Sequence, residues 1–90
     1  MERIAKAAIL KDGVIFTPVK ENGRHNDIFR ALYDAKFPAP HDGVQGFTTD
    51  AGRFVTREEA VSIAGKAGQI LAGREGVVVR SGRLYSEDVW

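Results

Sequence analysis

The sequence predicts an α+β fold: two small antiparallel β-hairpins forming one sheet, packed by two helices, with a C-terminal tail. Three observations carry that prediction. Asp12-Gly13 joins two apolar runs, a second pair of short runs flanks Asp50-Ala51-Gly52, and two stretches place apolar residues at helical spacing. Ninety residues make one domain, residues 1–90. A chain of this size buries about 60% of the surface that it exposes when unfolded, enough for one modest core.

The first strand runs from Ile4 to Leu10 and the second from Val14 to Thr17, because Asp-Gly accepts the positive φ of a tight primed turn. Pro18 cannot donate to a ladder and closes the second strand. Lys20-Glu21-Asn22-Gly23 is a turn. Between His25 and Phe37, Ile28, Phe29, Leu32 and Tyr33 fall on one helical face, with Asn26 or Asp27 as the cap and Pro38 and Pro40 as terminators. The segment 38–43 is a stiff connector. Gln45 to Thr49 and Arg53 to Val55 form the second hairpin. Thr56-Arg57-Glu58-Glu59 is a capping box for a helix reaching Leu71, with Gly73 as its C-cap. Val77-Val78-Val79 reads as a short strand before the tail that ends in Val89-Trp90.

Thirteen Lys and Arg against twelve Asp and Glu give a net charge of +1, which argues against a DNA-coating or polybasic membrane protein. Without cysteine there is no disulfide scaffold, thiolate nucleophile or cysteine-based zinc site. No apolar run approaches the roughly 20 residues that span a bilayer, and Lys11-Asp12 interrupts any signal-peptide core. The expectation is a cytoplasmic chain with neither DNA nor membrane as a partner.

Catalytic chemistry would begin at the histidines. His25 stands two residues before Asp27, and His41 beside Asp42. Such a pair serves as a general base only where a substrate group lies within hydrogen-bond reach; the plainer reading makes Asp27 a helix cap and His41 a loop residue. The two histidines match no metal-ligand spacing, and no Walker A or dinucleotide fingerprint is present. The arginines say more. Arg24 and Arg53 each follow a glycine and stand near a hydrogen-bonding side chain (His25, Thr49) and an aromatic (Phe47, Phe54). A guanidinium grips phosphate oxygens bidentately while an aromatic face stacks a base. Phe47 and Phe54 read equally well as core, since both lie in strands. Glu58 and Glu59 occupy the first turn of the second helix, so no phosphate is placed on that helix end, and Arg57 reaches outward or across a subunit boundary. Gly65 and Gly68, with Ala60, Ala64, Ala67 and Ala72, leave a flat small-residue surface on that helix, suited either to the protein's own sheet or to a second copy.

Gly23-Arg24-His25-Asn26-Asp27-Ile28, Gln45-Gly46-Phe47-Thr48-Thr49, Gly52-Arg53-Phe54-Val55-Thr56-Arg57-Glu58-Glu59-Ala60, Ala67-Gly68-Gln69-Ile70 and Leu84-Tyr85-Ser86-Glu87-Asp88-Val89-Trp90 resemble, in that order, the phage anti-Thoeris proteins of the first type. The resemblance implies a non-enzymatic phage protein of the host bacterial cytoplasm. Such a protein sequesters cyclic ADP-ribose isomers, in some members also cyclic trinucleotides of CBASS-type defence, as a homodimer or a dimer-based hexamer. Little lies between Phe37 and Gln45 here, so contacts that longer members make in that insert have no counterpart.

On this reading Arg24, Arg53 and Arg57 contact phosphate, and Phe47 and Phe54 stack, with Phe16 and Trp90 in reserve. His25 and Gln69 bond a ribose or base, and Asn26, Gln45 and Thr48 orient the ligand. No catalytic residue, cofactor or metal is expected. The competing readings are a small enzyme hydrolysing such nucleotides through His25 and Asp27, a structural phage protein-interaction module, and a single-stranded nucleic-acid binder.

Overall fold

The computed structural model describes residues 1–38, 40 and 42–90, so His41 and Ala39 of the expected connector lie outside the described residues. The elements are β1 (Ile4–Lys11), β2 (Val14–Phe16), α1 (His25–Asp34), β3 (Val44–Thr49), β4 (Phe54–Thr56), α2 (Arg57–Lys66), α3 (Glu75–Ser81) and a 3₁₀ turn at Ser86–Asp88. The four strands form one antiparallel sheet in the order β2-β1-β3-β4: the two expected hairpins zip together through β1 and β3. The fold is α+β.

Turn chemistry sets the first hairpin. Asp12 and Gly13 both have positive φ (51° and 77°), the requirement of a type I′ turn. Register then sorts the side chains, because directly opposed residues share a face. Ala7, Phe47 and Val55 stand in line across β1, β3 and β4 and are fully buried. They pack with Ala60 and Ala64 of α2, Val78 of α3 and the tail residues Leu84 and Val89. The opposite face carries the Ala8–Gly46–Thr56 line and the Thr48–Phe54 pair. Phe47 and Phe54, both expected to stack a ligand, therefore point to opposite sides of the sheet. Phe54 lies over Gly46, where an added Cβ would come within 2.7 Å of the ring and 2.1 Å of the Val55 carbonyl oxygen.

The helix signals act largely as expected, with three differences. In α1 the cap residue is Arg24, and Asp27 serves from inside the first turn by accepting the Arg24 N–H at 2.7 Å. The capping box of α2 forms: Thr56 Oγ accepts from the Glu59 N–H at 3.2 Å, and Glu59 accepts from the Thr56 N–H at 2.9 Å. That helix stops at Lys66, not Leu71. Gly68 takes φ 68°, its N–H donates to the Gly65 carbonyl, and the Gln69 N–H donates to that of Ala64, which is a Schellman close. Gly68, not Gly73, is the C-terminal glycine. Third, residues 77–79 are helical, which makes three helices instead of two. Only Val78 of that run is buried, and Gly82 at φ 68° ends α3 by donating to the Val78 carbonyl.

Replacing Gly46 tests the register. The Gly46→Ala variant is expected to lose about 2–3 kcal/mol, because the new methyl meets backbone on one side and a ring on the other. Denaturant unfolding checks it: the midpoint should fall with an unchanged m-value.

Candidate functional site

The tail, residues 84–90, gathers Arg24, His25, Phe47 and Arg57 of the side chains singled out in the sequence. His25 opens α1 and is buried. Ser86 Oγ accepts the His25 main-chain N–H at 3.4 Å and donates to Nδ1 at 3.1 Å. Nε2–H donates to the Gly46 carbonyl oxygen at 2.8 Å. The Gly46 carbonyl can only accept, which places a proton on Nε2, and the lowered pKa leaves Nδ1 the acceptor for the Ser86 hydroxyl at neutral pH. Burial, followed by the charge of Arg57, lowers the His25 pKa from 6.5 to about 4 against the opposing pull of the Gly46 and Ala8 carbonyls. The imidazole edge meets the Phe47 ring at 5.2 Å, and Phe47 meets Trp90 edge-on at 6.4 Å.

Arg57, the first residue of α2, is half-buried. Its Nη1 donates to the Leu84 carbonyl at 2.8 Å and its Nη2 to Gln45 Oε1 at 2.5 Å, while Cζ lies 4.4 Å from the centre of the Tyr85 ring. Burial lowers its pKa, and among the described residues no ion pair involves it. A partly desolvated guanidinium held by neutral acceptors keeps its full charge for an anion.

The remaining expected residues divide. Arg24 stays exposed and donates from Nη2 to the Trp90 main-chain oxygen at 2.7 Å, which brings it to the same tail. Arg53 is elsewhere: it grips Glu2 through Nε and Nη2, both at 2.8 Å. Bonds from Arg53 and Thr49 hold the Glu2 carboxyl at a pKa of about 2. This pair borders a cavity of about 370 Å³ that Glu59, Ser62 and Lys66 also line. Gln69 is engaged in the fold, accepting from the Ile4 N–H at 2.7 Å and donating to its carbonyl at 2.9 Å. Phe47 is enclosed on all sides and presents no face for a base, a correction that follows from its inward register. Phe54 and Thr48 sit on the sheet's other face, Asn26 is exposed on the first turn of α1, and Phe16 is half-buried in the edge strand β2. Asp27 pairs loosely with Lys20 at 3.4 Å and caps α1, while both His25 ring nitrogens are used elsewhere, so the two do not form a catalytic pair.

Two residues of the site escaped the sequence reading, Tyr85 and Ser86. The serine heads Ser86-Glu87-Asp88, a local turn signature, but nothing local says that its hydroxyl reaches a histidine 61 residues away. Among the described residues, no cluster of three or more His, Asp or Glu could hold a metal ion, and no helix is long and apolar enough to cross a membrane.

These features define a small α+β protein whose tail assembles cations and aromatics around a neutral histidine. The chain belongs to the phage T4 y16D protein family, whose sequence model matches residues 3–90. Neither the curated proteins nor the solved structures returned a match to the chain.

The depressed pKa values of His25 and Glu2 give separate acid limbs, and Asp27 and Glu59, also lowered by their hydrogen bonds, add to the lower one. Unfolded chains protonate His25 near 6.5 while the fold resists until about 4, so its contribution, up to about 3 kcal/mol, is complete above pH 6.5 and drains as pH falls to 4. Glu2 adds a second loss as pH falls from 4.5 to about 2. Urea midpoints measured against pH should show both limbs, with His25→Gln removing the upper one and Glu2→Gln only reducing the lower one, to which Asp27 and Glu59 also contribute.

Proposed function

We propose that this phage protein binds cyclic nucleotide immune signals of the cyclic ADP-ribose class, with cyclic oligonucleotides as a further ligand type, and withholds them intact from anti-phage defence. The supporting observation is Arg57. It is a half-buried cation lying on an aromatic ring, hydrogen-bonded to two neutral acceptors and in no direct ion pair among the described residues, although Glu58, Glu87 and Asp88 lie near enough to act on its charge. Phosphate oxygens complement that arrangement bidentately. Arg53, by contrast, would first have to release Glu2.

Retention, not cleavage, is favoured by the state of His25. A neutral, enclosed imidazole whose two nitrogens already have partners has no free position from which to take a proton from substrate. The resemblance to the anti-Thoeris proteins of the first type points the same way. It also supplies the expectation that two copies, or a hexamer of such pairs, complete the pocket.

Native mass spectrometry with a mixture of cyclic ADP-ribose isomers and cyclic trinucleotides tests the proposal. The parent protein should retain a ligand that returns with unchanged mass after heat release; recovery of a hydrolysed product would instead establish the enzyme reading. Arg57→Ala should weaken retention about 10- to 100-fold, the worth of one charge-assisted contact. A variant that is folded by circular dichroism yet binds as tightly as the parent would overturn the role given to Arg57. If no nucleotide raises the melting temperature, the protein-interaction reading takes its place.

A further inference from the structure

A second feature is independent of Arg57. The 17–24 loop runs beside the start of β1 and leaves a cleft of about 270 Å³, one wall of which is Trp90. The loop is shaped for this. Asn22 adopts φ 56°, the Gly23 N–H donates to the Lys20 carbonyl at 3.2 Å, and Gly23 is buried where a Cβ would come within 2.4 Å of the Pro18 ring. Its freed carbonyl accepts the Trp90 indole N–H at 3.1 Å. One edge of the indole is thus tied to the loop, and the ring as a whole stands edge-on to Phe47. Trp90 packs on one side against the core and also lines the cleft.

Two ammonium groups, Lys6 and Lys20, and one carboxylate, Glu21, share the cleft. Lys6 belongs to the stretch where the β1–β3 register shifts, and among the described residues it pairs with no carboxylate. Among the described residues the Lys20 ammonium pairs with Asp27 alone, loosely at 3.4 Å. The Arg24 guanidinium adjoins through its bond to the Trp90 main-chain oxygen. A fixed indole beside surplus positive charge matches a flat aromatic ring that carries an anion. Because the indole is already immobilised, a stacked ring costs little further ordering.

We infer that this cleft binds one nucleoside phosphate unit, its base stacked on Trp90 and its phosphate held by Lys6 and Lys20. The inference rests on the nucleotide-binding reading above and assigns a place to a base of such a ligand. Complete small-ligand pockets measure roughly 300–1,000 Å³. A cleft of about 270 Å³ therefore suits a single nucleotide unit and leaves the rest of a larger cyclic ligand outside it.

Trp90 is the only tryptophan in the chain, so its fluorescence reports on this cleft alone. Adenosine monophosphate should quench it saturably, with adenosine and inorganic phosphate each at least about 10-fold weaker. The exposed positions make Lys6→Ala, Lys20→Ala and the double variant suitable for comparison. The double variant should lose about 10-fold in adenosine monophosphate affinity, and added salt should weaken the parent. Absence of quenching at millimolar adenosine monophosphate, or quenching that the double variant leaves unchanged, overturns the assignment. If cyclic nucleotides are still retained in the mass spectrometer, the binding reading stands and the site lies elsewhere. Quenching without retention of any cyclic nucleotide supports the cleft and removes the sequestration reading.

Discussion

The neutral imidazole of His25 is the joint on which the rest of the structure depends. It links α1 to β3 through the Gly46 carbonyl and to the tail through Ser86. Gly46 and Ser86 lie 21 and 61 positions from His25 in sequence. Each bond contributes only about 0.5–1.5 kcal/mol net, yet leaving a buried partner unsatisfied costs about 1–3 kcal/mol, so the ring, the hydroxyl and the carbonyl hold one another in place. Protonation would turn the acceptor Nδ1 into a donor and place a charge in a buried site near Arg57. Burial and Arg57 both favour the neutral ring.

Once the tail is docked, three arginines from three different helix starts end on it. Arg24 reaches the Trp90 main chain, Arg57 the Leu84 carbonyl, and Arg74 the carboxylate of Asp88 at 2.8 Å. The last contact is structural. Asp88 is fully buried, and a buried carboxylate is tolerable only with a cation and further donors, here Arg74 and the Tyr85 N–H at 2.8 Å. Arg74 is thereby neutralised, as Arg53 is by Glu2. Arg57 differs in kind. Its partners are an amide oxygen, a carbonyl and a ring, which orient the guanidinium without cancelling it. Glu58, Glu87 and Asp88 act on it only through space, without a direct ion pair among the described residues.

The fold was legible wherever a local rule decides the backbone. Asp12-Gly13 requires its turn, Thr56 and Glu59 cap each other, and the two hairpins follow from those signals with the alternation of Ala7, Ile9, Phe47 and Val55. The α3 segment was not legible, because three consecutive valines favour a strand by propensity alone. That preference is small: valine costs a helix well under about 1 kcal/mol per residue. Burial of Val78, the Arg74–Asp88 pair before the helix and the left-handed Gly82 after it outweigh it. Gly68 and Gly73 illustrate the same limit. Both take positive φ and either could close α2, but the hydrogen bonds from Gly68 and Gln69 back to Gly65 and Ala64 come first along the chain.

The site was legible as a set of residue types and not as a set of pairs. Reading along the chain matched Arg53 with Phe54, its neighbour, and Arg24 with Phe47. Strand alternation turns Phe47 inward, where no base can reach it, and Phe54 to the opposite face, so the two rings cannot serve one stack. The aromatic partner of a guanidinium is set by whatever the fold lays across it, and here that is the tail. Tyr85 lies under Arg57, 28 positions further on, and Trp90 lies beside Arg24, 66 positions further on. Ser86 directly follows Tyr85, so the hydrogen bonds between His25 and Ser86 and the contact of Arg57 with Tyr85 hold the same short segment, and this arrangement of cations and rings is a product of the fold and not of any motif.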